Sequence, residues 1–64
     1  MAGQQFIPVG TYTNSATGRT FNIEWDRAGG RVYVKGTSWR SAQTVREDAA
    51  YDVGKALIIS NDRR

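Results

Sequence analysis

Strict alternation over Thr20 to Gly36, TFNIEWD-RAGG-RVYVKG, constrains this chain more than any other stretch. Successive side chains of a strand point to opposite faces, so a two-residue period gives one buried face and one wetted face. Phe21, Ile23 and Trp25 share one side; Thr20, Asn22, Glu24 and Asp26 share the other. In the second segment Val32 and Val34 interleave with Arg31, Tyr33 and Lys35. One antiparallel register satisfies both segments. It sets Trp25 opposite Val32, Ile23 opposite Val34, Glu24 opposite Tyr33, Asn22 opposite Lys35 and Asp26 opposite Arg31. Ala28 resists the positive φ of a two-residue turn, so a four-residue loop, Arg27 to Gly30, is predicted, with Gly29 or Gly30 in the left-handed position.

The remaining elements are placed around this hairpin. Phe6 to Thr13, FIPVGTYT, is rich in β-formers but contains Pro8 and Gly10, which suits a sheet edge. The turn formers of NSATG join it to the Thr20 strand. Setting Val9 opposite Ile23 puts Ile7 and Thr11 on the core side and Tyr12 on the outer face. After Gly36 the period lengthens to about 3.6 residues. Ala42, Val45, Ala49, Val53, Ala56 and Leu57 form a narrow apolar stripe, while Arg46, Glu47, Asp48 and Asp52 lie off it. Ser41 is a candidate N-cap, and Thr44 with Glu47 is a later capping box. Trp39 fills the corner between strand and helix.

Gly54 interrupts the helical pattern, where glycine costs ~1 kcal/mol relative to alanine. The stripe favours a helix running through it to about residue 57. The alternative ends the helix near 53 and makes ALIIS, residues 56–60, a fourth strand. The expected fold is α+β: a three-stranded antiparallel sheet (6–13, 20–26, 31–37) packed on one C-terminal helix (42–57). A single domain spans 1–64, with residues 1–5 frayed and 61–64 mobile.

A chain of 64 residues builds a small core, at a size where dimerisation often supplements burial and a large catalytic cleft has little room. With neither Cys nor His, disulfide, thiolate and imidazole chemistry are excluded. The carboxylates are scattered and lack the spacing of a calcium loop, so no catalytic residue, metal or cofactor is expected, and the chain does not read as an enzyme. MAGQQFIPVG lacks the basic start and apolar run of a signal peptide, and no apolar segment reaches membrane-spanning length. A cytoplasmic protein with no membrane partner is expected.

Positive charge concentrates in the hairpin half. Arg19, Arg27, Arg31, Lys35 and Arg40 outnumber Glu24 and Asp26 there, whereas Arg46 and Lys55 are outnumbered by Glu47, Asp48 and Asp52 further on. On the wetted face, Arg31, Tyr33, Lys35, Asn22 and Tyr12 place cations beside aromatic and amide groups, with Arg19, Arg27 and Arg40 as a basic rim. Cations suit phosphates, aromatic rings stack on unpaired bases and amides bond base edges. The chain therefore reads as a small non-enzymatic nucleic-acid-binding protein, with DNA placed before RNA. The alternative is a protein-interaction or self-associating accessory module of phage or bacterial type, with Tyr12, Tyr33 and Arg31 as contact residues and homodimerisation through the edge strand.

The segment GRVYVKGTSWRSAQTVREDAAYDVGKAL resembles the end of the sheet and the helix of two families of DNA-binding domain. These are the N-terminal domains of tyrosine-type phage integrases and the plant ethylene-response factors. That resemblance implies a sheet face laid in the DNA major groove, with contacts at Arg31, Tyr33 and Lys35. Over Gly36 to Leu57 the chain is also similar to the second half of a double-stranded-RNA-binding domain, through Ser41, Val45, Arg46, Ala49 and Ala50. That version implies a contact at Arg46.

Overall fold

The alternating segments do pair as a hairpin. The computed structural model describes residues 6–63; the expectations for residues 1–5 and 64 lie outside the described residues. Strands β1 (Phe6–Asn14), β2 (Arg19–Asp26) and β3 (Val32–Val34) form one antiparallel sheet in the order β1-β2-β3. A 3₁₀ turn, Glu47–Ala49, leads into helix α1 (Ala50–Asn61), which packs on the sheet. No helix among the described residues is long and apolar enough to cross a membrane.

Between β2 and β3 the register is the expected one, with Ile23 opposite Val34, Glu24 opposite Tyr33 and Trp25 opposite Val32. The Asp26 N–H donates to the Arg31 carbonyl at 2.7 Å and the Gly30 N–H to the Asp26 carbonyl at 2.6 Å. Arg27 to Gly30 are thus the four loop residues, and Gly30 takes the left-handed conformation at φ 71°. The carboxylate of Asp26 accepts the Ala28 N–H at 3.0 Å. It braces its own loop and forms no ion pair with Arg31 across the strands among the described residues.

In β1 the expected register holds from Phe6 to Pro8, with Ile7 opposite Trp25, and then fails by one residue. The pairing shifts between Pro8 and Gly10, so Val9 is the extra residue of a bulge and Gly10, not Val9, faces Ile23. A one-residue slip moves every later side chain to the opposite face. Tyr12 therefore sits opposite Phe21 and packs on the helix side, not on the outer face, and Thr11 turns outward opposite Asn22. Gly10 allows this geometry. Its φ is 152°, and a Cβ there would lie 2.9 Å from both Cδ1 and Cε1 of Tyr51, whose ring covers it. The Tyr51 hydroxyl donates to the Thr11 carbonyl at 2.6 Å, tying helix to strand.

The helix starts later than expected from residue 42, because residues 39–45 are engaged elsewhere. Tyr33 and Arg40 form an antiparallel bridge, the Val34 N–H donates to the Trp39 carbonyl at 3.2 Å and the Ser41 N–H to the Val32 carbonyl at 2.9 Å. Ser41 is not an N-cap. Its hydroxyl accepts the Val32 N–H at 3.0 Å and donates to the Gln43 carbonyl at 2.8 Å, closing the free side of β3. Further along, the Val45 N–H donates to the Gly30 carbonyl at 2.6 Å and the Trp25 indole N–H to the Val45 carbonyl at 2.7 Å. These bonds leave the helix to begin at Glu47, with no side-chain cap from Thr44.

At the other end α1 continues through Asn61, so residues 56–60 are helical and the fourth-strand alternative is excluded. Its buried face is Ala50, Gly54 and Ile58, one step round from the expected stripe, and it meets Ile23, Val32 and Val34 of the sheet.

Asp62, expected in a mobile tail, is instead buried at 3 % exposure. Its carboxylate accepts bonds from the Thr17 hydroxyl, from Arg19 Nη1 at 2.6 Å and from Asn14 Nδ2 at 3.2 Å; Asn14 also reaches its carbonyl at 2.8 Å. The Thr17 hydroxyl, followed by Arg19 and Asn14, holds its pKa below the ordinary 3.8 against the opposing effect of burial. A folded pKa below the unfolded one contributes stability that is complete above the unfolded value and is lost as pH falls through the folded value. Chemical denaturation of wild type should therefore weaken between pH ~5 and ~2 more steeply than that of Asp62→Asn, whose side chain does not ionise. Parallel pH profiles would show that this carboxylate does not contribute.

Candidate nucleic-acid interface

Cross-strand pairing arranges the face of the sheet away from α1 in three rows. Pro8, Glu24, Tyr33 and Arg40 form the middle row. Phe6, Asp26 and Arg31 lie on the side of the hairpin loop, joined by the backbone bond between Asp26 and Arg31. Thr11, Asn22 and Lys35 form the third row, where the Lys35 N–H donates to the Asn22 carbonyl at 2.9 Å.

Over the middle of this face the rings of Phe6 and Tyr33 meet edge to face, with centroids 5.3 Å apart and planes at 87°. The contact spans β2 diagonally. Phe6 remains 40 % exposed, a large apolar ring held at the surface by its neighbour. Beside the pair, Pro8, Gly10, Thr11, Asn22, Glu24 and Lys35 line a shallow concavity of about 300 Å³, formed where the bulge bends β1.

Five of the residues expected on the binding face are brought together: Arg31, Tyr33, Lys35, Asn22 and Arg40. Arg27 is exposed at the tip of the hairpin loop. Among the described residues the ion pairs are Arg19 with Asp62 and Arg46 with Asp48, so Arg27, Arg31, Lys35 and Arg40 hold no carboxylate partner there. Two residues drop out. Tyr12 lies on the helix side, with the Lys55 ammonium 5.9 Å from its ring centroid and 5.6 Å from that of Tyr51. Arg19 is committed to Asp62, although its side chain is 64 % exposed.

Phe6 is the surface residue that the sequence reading missed. The signal was present: Phe6 and Pro8 alternate with Ile7 and Val9, and only the bulge reconciles that with an inward Tyr12. No protein family, curated protein or solved structure matches the chain.

Proposed function

We propose that the protein binds nucleic acid across the outer face of its sheet, taking an unpaired strand over Phe6 and Tyr33. The observation that carries this reading is the aromatic pair, Phe6 exposed and Tyr33 half-buried, flanked by Arg31, Lys35 and Arg40, cations without ion-pair partners among the described residues. Such cations approach phosphates without first giving up a carboxylate, and release of condensed counterions drives the association. An exposed ring offers a base a stacking surface worth about 1–3 kcal/mol, and only an unpaired base can use it.

Fluorescence anisotropy against single-stranded DNA, duplex DNA and single-stranded RNA tests the reading. The single strands should bind more tightly than the duplex, and Phe6→Ala should weaken that binding about tenfold while the circular dichroism spectrum stays unchanged. A duplex that binds best would favour groove docking over stacking. No binding to any of the three at low salt would end the proposal.

A second reading, a self-associating module, draws on the edge position of β1, whose Phe6–Asn14 backbone pairs on one side with β2 alone. With Tyr12 turned inward this reading loses one of its expected anchors. Sedimentation showing a monomer at high concentration would exclude a homodimer.

A further inference from the structure

Glu24 is an obstacle to any simple phosphate-binding patch: a carboxylate in the middle row of a cationic face repels a polyanion. Its carboxylate also has no hydrogen-bond or ion-pair partner among the described residues, and neither do the side chains of Asn22 and Lys35. All three line the concavity beside Phe6 and Tyr33. Asn22 and Glu24 project from alternate positions of β2, roughly 7 Å apart along the strand, and Lys35 stands opposite Asn22. An acceptor, a mixed amide and a cationic donor thus surround a hollow of about 300 Å³, the low end of the range for small-molecule pockets.

Resting on the nucleic-acid reading above, we infer that this concavity selects guanine in the bound strand, with Glu24 as the reading residue. An ionised carboxylate only accepts hydrogen bonds, and its two oxygens accept two parallel donors best. Guanine alone among the four bases offers two adjacent donors on its pairing edge, the ring N1–H and the exocyclic amino group. Adenine and cytosine set a ring acceptor beside their amino group, and thymine flanks its single N–H with two carbonyls, so each turns an acceptor towards the carboxylate. Lys35 and the Asn22 amide supply donors for the guanine O6. The carboxylate that weakens phosphate binding therefore specifies the base, and Phe6 provides the neighbouring stacking surface.

The test uses the whole protein and thymine tracts of one length, carrying a single central guanine, hypoxanthine, adenine or cytosine. Guanine should bind about tenfold more tightly than adenine or cytosine, the discrimination expected of one bidentate base contact. Hypoxanthine, which keeps N1–H and lacks the amino group, should fall between them. Glu24→Gln, which removes the charge and half of the acceptor pair, should erase the guanine preference and bind the plain thymine tract more tightly than wild type does, because the repelling charge is gone. Equal binding of all four strands to wild type, or a preference that survives in Glu24→Gln, overturns the inference and leaves the wider reading standing. Failure of every strand to bind overturns both.

Discussion

Gly54→Ala should lower stability by about 2 kcal/mol, although alanine is the better helix former. A Cβ at this position would lie 2.8 Å from Cδ1 and 2.9 Å from Cγ1 of Ile23, and closer still to Cγ2. Ile23 is completely buried in the centre of the core and packed by Val32, Val34 and Ile58, so it cannot swing away. Overpacking of this kind costs typically about 1–3 kcal/mol, and the upper end applies where three atoms of one buried side chain are encroached on together. The gain in helix propensity returns ~1 kcal/mol. For a domain whose whole stability is a few kcal/mol, such a loss should lower Tm by roughly 10 °C. A thermal melt with Tm unchanged or raised would show that α1 does not rest on β2 at this point. Combining the change with Ile23→Ala gives a second reading of the same contact. The cavity left by Ile23 accepts the new methyl group, so the double variant should lose less than the two single losses added together.

The same contact explains why part of the fold was legible in the sequence and part was not. Hairpin β2–β3 was legible because each face carries its own constraint, and one register satisfies Trp25 with Val32 as well as Glu24 with Tyr33. The stripe carried the helix through Gly54, but the glycine kept a fourth strand open as an alternative, because local propensity does not record that Ile23, distant in sequence, requires its missing side chain. Ser41 and Thr44 suit a helix cap, yet a serine hydroxyl is equally able to close a sheet edge. The choice was made by Val32 and by the bonds of Val45 to Gly30 and Trp25. In β1 the two-residue period survives on either side of Val9, but a single inserted residue exchanges the faces beyond it, which is how Tyr12 was misplaced. On the outer face of the sheet, Arg31, Tyr33, Lys35 and Asn22 follow from alternation alone. Arg19 could not be judged that way, since its partner Asp62 lies 43 residues further along the chain.

Those different assignments of the cations make a second large effect measurable. If Arg31, Lys35 and Arg40 each neutralise one phosphate of a single strand, log K should fall with log salt at a slope of about −0.7 for each, or roughly −2 in total. A fourfold rise in salt should then weaken binding about 20-fold. The variant Arg31→Ala, Lys35→Ala, Arg40→Ala should bind weakly even at low salt, and its remaining affinity, carried by stacking on Phe6 and Tyr33, should depend little on salt. Arg19→Ala supplies the contrast. Its guanidinium holds Asp62 rather than standing free, so the variant should keep the wild-type salt slope and lose stability at neutral pH instead. A triple variant that retains a steep slope would place the phosphate contacts off the outer face of the sheet. A flattened slope in Arg19→Ala would mean that the bound strand extends past β2 to the Asp62 cluster, drawing Arg19 away from its carboxylate. The two salt slopes together therefore locate the strand on the molecule, which affinity at a single salt concentration cannot do.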